Sequence, residues 1–146
     1  MNARRKNLLL VEDNAADARL MREAMRGAVQ PTDLAVVTDG EQALSYLRGD
    51  EPFAGRPEPD IVILDLNLPR KHGLDVLSEI RADPVLRVLP VIVLTTSTSH
   101  NDVLEAYGRG SNCYIVKPVD FDHFRQVVAA IDQFWLDVVR LPSASD

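Results

Sequence analysis

Cysteine, long apolar runs and a secretion signal are nearly or wholly missing from this sequence. The only cysteine among 146 residues is Cys113, which excludes an internal disulfide framework and favours a reducing compartment. No apolar run approaches the roughly 20 residues of a membrane helix. The basic start, Met1–Lys6, is followed only by Leu8–Val11 before Glu12, too short for the apolar part of a signal peptide. We therefore expect a cytoplasmic protein without a membrane partner.

An excess of positive charge is also missing. Sixteen lysines and arginines stand against 22 acidic residues, and the resulting net charge of -6 argues against general attraction to nucleic acid. The composition is ordinary for a globular protein, with 46% hydrophobic and 26% charged residues. Without an internal repeat or linker, 146 residues predict a single domain over 1–146. Its core is expected at about 7–140, with flexible tails at 1–6 and 141–146.

Five short apolar segments alternate with helical patterns along the chain. Ile61–Leu64 has no polar break, which is typical of a strand buried on both faces of a parallel sheet. The five segments are Asn7–Val11, Leu34–Val37, Ile61–Leu64, Val91–Leu94 and Cys113–Val116. With five helices between and after them, the pattern predicts an α/β fold with a five-stranded parallel sheet covered on both faces.

Polar residues follow four of these segments. They are the pair Glu12-Asp13, Asp65, the pair Thr95-Thr96, and Lys117. If the first, third, fourth and fifth strands lie side by side, these residues converge at the edge where ligands bind in open α/β sheets. Three clustered carboxylates repel one another unless a cation lies between them. Oxygen ligands without a histidine and cysteine set favour Mg2+, to which Asn67 can add its backbone carbonyl.

This set of groups suits phosphoryl transfer. Asp65 is the candidate nucleophile, which would form an acyl phosphate, while Mg2+ and Lys117 neutralise phosphoryl oxygens and Thr95 donates a hydrogen bond. Taken singly, each residue has a plainer explanation. An acid at a strand end is usually a turn residue or a helix cap. Thr95 alone is more often a structural side chain, and Lys117 before Pro118 is normally a solvated lysine in a turn.

Together these residues resemble the receiver domains of two-component response regulators, over roughly Leu8 to Val139. The residues that carry the resemblance are Glu12-Asp13, the segment Asp65-Leu66-Asn67-Leu68-Pro69 with Gly73, Thr95, and Lys117-Pro118. The resemblance implies the flavodoxin-like doubly wound receiver fold and a phosphoprotein. Asp65 would accept phosphate from the phosphohistidine of a sensor histidine kinase. Such a signalling domain is not an enzyme for a separate substrate, because it catalyses only its own phosphorylation and dephosphorylation.

The resemblance also assigns roles to the neighbouring residues. Asp13, Asp65 and the Asn67 carbonyl would hold Mg2+, and Glu12 would act through water. Lys117 matches the phosphate-binding lysine of the family.

Thr95 and Tyr114 match the switch pair of receiver domains. Our hypothesis is that Thr95 moves toward the phosphoryl group and that Tyr114 fills the vacated space, which shifts the helix around Val103 and the fifth strand. The family also tends to have a cis peptide bond before the proline that matches Pro118. Thr96 departs from the alanine that many receivers have there.

Three features are similar to those of stand-alone regulators paired with phytochrome-type histidine kinases. They are the long Gly49–Pro59 loop, the Leu94–Ser97 segment and an aromatic last helix. This similarity implies a red-light input and a dimeric receiver.

The last helix is the expected partner surface, because no second domain is predicted after Val139. Phe121, Phe124, Val128, Ile131 and Trp135 are expected to face the sheet, with Phe134 and Val138 on another side. The candidate partner surface comprises Phe121, Phe134, Trp135 and Val138. A homodimer through the last helix and fifth strand is one interpretation, and internal packing of the whole stripe is the other.

Two other functions fit parts of the pattern. A small Mg-dependent aspartyl phosphohydrolase or phosphotransferase would use the same Asp65, but it needs a second acid two residues later, where this chain has Asn67. It also needs a cap over the site. A flavin-binding α/β domain lacks support because Glu12-Asp13, rather than a phosphate-binding loop, follows the first strand.

Overall fold

The computed structural model describes residues 5–28 and 31–143. The strands are β1 (Lys6–Val11), β2 (Thr32–Val37), β3 (Ile61–Leu64), β4 (Val91–Thr95) and β5 (Cys113–Val116). The helices are α1 (Ala15–Met25), α2 (Gly40–Arg48), α3 (Gly73–Ala82), α4 (His100–Gly108) and α5 (Phe121–Ile131), with a short 3-10 helix at Leu86–Val88. All strand pairs are parallel, in the order β2-β1-β3-β4-β5. The predicted doubly wound α/β fold is confirmed.

Helices cover both faces of the sheet. Because successive side chains of a strand point to opposite faces, Leu9 and Val11 of β1 pack into a core with α2 and α3. Leu8 and Leu10 pack with Met21 and other residues of α1 and α5 on the opposite face. The strands are thereby held between two cores, so their ends are fixed in position. No helix in the described part of the chain is long and apolar enough to cross a membrane.

Both predicted tails, 1–6 and 141–146, include residues that are part of the folded domain. Lys6 already belongs to β1, and the Arg5 guanidinium pairs with exposed Asp33. At the other end Leu141 is only 1% exposed, because the chain turns back onto the domain after the last helix. The expectation of flexible tails is therefore wrong for 5–6 and for Leu141. Residues 1–4 and 144–146 of those predicted tails lie outside the described residues.

A buried carboxylate anchors the C-terminal end. Asp60 is 1% exposed, and its side chain accepts hydrogen bonds from the Asn7 backbone N–H and from the Ser143 hydroxyl. Residue 143 is therefore joined to the start of β1 and the segment before β3.

The last helix changes its hydrogen-bonding pattern. The α-helix ends at Ile131 and continues as a π-helix over Asp132–Val138. Phe124, Val128 and Ile131 are buried as predicted, and Trp135 packs partly against the same core. Phe121, the first residue of α5, is 37% exposed and does not belong to this core, so the prediction that it faces the sheet is not confirmed.

The peptide bond before Pro118 is not cis, contrary to the expectation from the resemblance. The cis bond in the described part of the chain joins Glu51 and Pro52. With a trans bond after it, Lys117 still donates its backbone N–H to the Thr95 carbonyl at 2.7 Å, which extends the β4–β5 pairing.

Candidate functional site

The carboxyl ends of β1, β3, β4 and β5 meet at one edge of the sheet, because these four strands are neighbours. The Lys117 ammonium lies 2.9 Å from Asp65 Oδ2 and 2.5 Å from Glu12 Oε1. The side chains that follow β1, β3 and β5 are thus in direct contact, and the predicted convergence is confirmed for them. Thr95, the last residue of β4, is paired with Val116 of β5 beside them.

The backbone around Asp65 holds its carboxylate in one orientation. Its N–H donates to the Val11 carbonyl at 3.1 Å, and its Oδ1 accepts from the Leu66 N–H at 2.7 Å. Gly73 packs against the same segment so closely that a Cβ there would lie 2.2 Å from the Asp65 carbonyl oxygen. This close approach requires a residue without a Cβ at position 73.

Glu12, Asp13 and Asp65 form the candidate metal site. One carboxylate oxygen from each lies within 4.8 Å of the others. Glu12 and Asp65 are buried, whereas Asp13 is exposed and gives access from solvent. Burial raises the pKa of Glu12 to about 7, and Asp65 adds to this rise while Lys117 opposes it. Three hard oxygen donors around one point fit a divalent cation, which would compensate their repulsion.

Asn67 was predicted to complete this site through its backbone carbonyl. It lies two residues beyond Asp65, in an exposed position of the loop between β3 and α3. Its place next to the cluster is compatible with that role, which stays a prediction.

Lys117 is an almost buried ammonium surrounded by three acids. Its side chain is 7% exposed, and the Nζ atom donates to Glu12, Asp65 and, at 2.9 Å, Asp17 Oδ2. Burial by itself lowers the pKa of Lys117, but these three hydrogen bonds outweigh burial and raise it above its usual value. The lysine is therefore charged at neutral pH and can neutralise an oxyanion.

Asp17 is a site residue that the sequence did not reveal as such. In the sequence it stands only in the first turn of a predicted helix. The sequence offered no clearer signal, because an acid in the first turn after Asn14 is also typical of a residue that only stabilises the helix N-terminus. Only the tertiary structure, in which α1 packs against α5 on one face of the sheet, brings Asp17 into contact with Lys117.

Thr95 supplies a hydroxyl without a partner. The residue is fully buried, and within the described residues its Oγ1 atom has no hydrogen bond. Buried hydroxyls are normally hydrogen-bonded, so an unsatisfied one beside a reactive carboxylate is a candidate donor for a group that arrives there.

Tyr114 connects β5 with the segment after β4. Its hydroxyl donates to the Ser97 carbonyl at 3.0 Å, and its half-buried ring packs against a cluster that includes Val93 of β4 and Ala106 of α4. A movement of the Thr95 region can therefore reach α4 through this side chain.

Replacing Thr95 by Val is expected to raise the free energy of unfolding by about 1 kcal/mol, because the variant keeps the shape and removes an unsatisfied buried hydroxyl. Urea unfolding in the absence of metal and phosphate measures this change. Thr96→Val, at the exposed neighbouring position, is the control and should change stability less. A loss of stability in Thr95→Val would show that the hydroxyl has a partner in solution.

The fold and these groups define a class of protein. A parallel α/β sheet presents an acidic cluster suited to a divalent cation, a buried hydroxyl and an ammonium at one edge, and such groups can stabilise phosphoryl transfer. Residues 8–129 match the family described as response regulator receiver domain. The chain belongs to this family and is a two-component signalling protein.

Relatives and solved structures extend this similarity over nearly the whole chain. The response regulator Rcp1 of Synechocystis is 40% identical over 139 residues, which is 95% of each sequence. The phosphorylated cyanobacterial phytochrome response regulator RcpA has a TM-score of 0.92 and 43% identity, covering 96% of this chain and all of that one. The Mn2+-bound form of Rcp1 has a TM-score of 0.90 and 39% identity, covering 94% and 99%.

Proposed function

We propose that Asp65 accepts a phosphoryl group from the phosphohistidine of a sensor histidine kinase. The carboxylate oxygen attacks phosphorus, the bond between phosphorus and the imidazole nitrogen breaks, and the imidazole leaves with the bonding electron pair. The observation that carries this proposal is the 2.9 Å contact of Asp65 Oδ2 with Lys117, next to two further carboxylates. The same residue in a plain turn or cap would not require a buried ammonium and an acidic cluster around it.

The neighbouring residues hold or provide positive charge that neutralises the phosphoryl group. Asp13, Asp65 and the Asn67 carbonyl would hold Mg2+, with Glu12 acting through water, and the bound cation would neutralise phosphoryl oxygens. When the phosphoryl group arrives on Asp65, the Lys117 ammonium moves from the carboxylates to one of the phosphoryl oxygens. The domain thereby catalyses its own phosphorylation and dephosphorylation and acts on no separate substrate.

The signal begins with Thr95. Its unpartnered hydroxyl gains an acceptor when a phosphoryl oxygen arrives, which draws the end of β4 toward Asp65. Tyr114 then moves into the vacated space and breaks its bond to the Ser97 carbonyl. Because α4 contributes only one buried residue, Ala106, it is held weakly enough to respond.

A phytochrome-type histidine kinase is the proposed partner. This proposal is supported by the high similarity, over almost complete chains, to Rcp1 and to the phytochrome response regulator RcpA. The input would then be red light. The alternative, a phosphohydrolase acting on a soluble substrate, has no support at Asn67, where its general acid would stand.

The test is incubation with Mg2+ and acetyl phosphate, followed by intact-mass analysis. We expect the gain of one phosphate, which hydroxylamine removes because it cleaves acyl phosphates. No gain in mass, or a phosphate that resists hydroxylamine, would contradict the proposal.

We also propose a homodimer through β5 and the last helix. β5 is an edge strand, and beside it the side chains of Ile115, Val127, Ala130, Ile131, Phe134 and Trp135 line a shallow apolar cavity of about 250 Å3. Phe134 is 53% and Val138 69% exposed, so apolar area is available for a second copy. Phe121 is exposed at the opposite end of α5 and lines the same cavity as Lys117, so it extends the candidate surface toward the site.

Replacing Phe134 by Glu is expected to convert the dimer into a monomer, because the charge would be buried without a partner at the interface. Sedimentation velocity of the unphosphorylated and phosphorylated protein measures the change. Val85→Glu is the matched control, since Val85 is 78% exposed outside this surface. Monomers in both wild type and variant, in both states, would eliminate the dimer.

A further inference from the structure

We propose that Asp17 is a positioning residue that holds Lys117 when a divalent cation occupies the acidic cluster. The inference rests on the proposed function and adds a residue to its machinery. The Asp17 carboxylate is not one of the three that form the candidate metal cluster, and it acts through the lysine.

The hydrogen bonds of Lys117 show why a third acid is needed. An ammonium has three N–H donors, and here they reach Glu12, Asp65 and Asp17. Two of these acceptors, Glu12 and Asp65, belong to the candidate metal cluster. Asp17 is the one acceptor of Lys117 that the cluster does not include.

Lys117 and a divalent cation therefore compete for the same carboxylates. A cation bound in the cluster would attract the Glu12 and Asp65 carboxylates, and its charge would repel the nearby ammonium. The Lys117 side chain is only 7% exposed, so water cannot easily replace the lost acceptors. Asp17 then remains as its anionic partner and keeps the ammonium within reach of Asp65.

The position of Asp17 suits this role. Its backbone N–H donates to the Asn14 side chain at 3.0 Å, which fixes the first turn of α1. Its own side chain is 30% exposed and lies 2.9 Å from the Lys117 ammonium, so it remains in contact with solvent while it binds the lysine. Through Asp17, the lysine is bound to the first turn of α1, whose position is fixed. Its other two acceptors, Glu12 and Asp65, are the ones that would turn to the cation.

The experiment is a calorimetric Mg2+ titration of the full chain with Asp17→Asn. Without Asp17, Lys117 stays on Glu12 and Asp65 and competes with the cation. We expect Mg2+ affinity to fall roughly tenfold, in the range typical of residues that support metal ligands. Phosphorylation by acetyl phosphate should become slower at limiting Mg2+ and recover largely at saturating Mg2+. Asp17→Glu, which keeps the charge, should restore most of the affinity.

Two controls separate positioning from a general charge effect. Glu23→Gln removes one negative charge from α1 at a residue whose carboxylate pairs with Arg26, and it should leave Mg2+ affinity nearly unchanged. In a Lys117→Met background, Asp17→Asn should have no more effect than Glu23→Gln. The inference is overturned if Asp17→Asn matches Glu23→Gln in the wild-type background, or if its full effect persists without Lys117.

The same samples distinguish this inference from the proposed function. If the wild type takes no hydroxylamine-labile phosphate, the phosphoacceptor proposal fails whatever Asp17 does. If the wild type is phosphorylated but neither Asp17 variant changes the Mg2+ titration, the positioning role alone fails. Circular dichroism checks the fold of each variant. If Asp17→Asn does not fold, the Mg2+ affinity of Asp17→Glu decides, because near wild-type affinity supports the positioning role and a full loss contradicts it.

Discussion

Asp65→Asn is expected to take up no phosphate, from either acetyl phosphate or a phosphorylated kinase. The amide has no carboxylate oxygen that can attack phosphorus, so the acyl phosphate cannot form. Intact-mass analysis after incubation with Mg2+ and phosphodonor measures the loss. Asp33→Asn, at an exposed position on β2, is the matched control and should be phosphorylated like the wild type.

The fold of Asp65→Asn should survive. The Asn oxygen can still accept from the Leu66 N–H, and Lys117 keeps its bonds to Glu12 and Asp17. Loss of one hydrogen bond to the ammonium is offset by reduced repulsion among the acids, so we expect stability to change by about 1 kcal/mol or less. A variant that is folded and still gains one phosphate would show that Asp65 is not the acceptor.

Lys117→Met should slow phosphorylation by about 100-fold or more, the usual effect of removing one donor that stabilises a developing oxyanion. The methionine retains the length and apolar stem of the side chain while removing its charge. The rate of phosphate uptake at saturating Mg2+, followed by mass, measures the loss. An unchanged rate would contradict the role of the lysine in neutralising the phosphoryl group.

The same variant should change stability in a metal-dependent way. Glu12, Asp17 and Asp65 lose their shared cation, and removal of one partner from a buried ion pair costs about 3 kcal/mol or more. Urea unfolding in EDTA should show this loss, and Mg2+ should restore much of it because the dication replaces the ammonium. Mg2+ affinity should therefore rise above that of the wild type.

Lys71→Met is the control for the loss of a lysine. Lys71 also lies 2.5 Å from an acid, Glu79, but both side chains are about one third exposed. Water therefore replaces the lost partner, and we expect a much smaller change with no dependence on Mg2+. Equal effects of the two substitutions would show that the Lys117 cluster is as well solvated as the surface pair.

The sequence by itself determined the class of fold and most of the site. Unbroken apolar segments such as Ile61–Leu64 can be buried only within a sheet covered on both faces, and the structure confirms this strand. A polar residue directly after such a strand must lie at its carboxyl end. Asp65 and Lys117 were predictable for this local reason, without knowledge of any contact.

Tertiary structure decided which strand ends meet and what else reaches them. The order β2-β1-β3-β4-β5 places β1 beside β3, so Glu12 and Asp65 become neighbours. Asp17 reaches Lys117 across 100 residues of sequence. Burial of Leu141 and exposure of Phe121 likewise depend on where the last helix lies. The spacing of apolar residues along the sequence indicates only which side of each helix or strand is buried. Contacts between distant segments depend on how the helices and strands pack together in space.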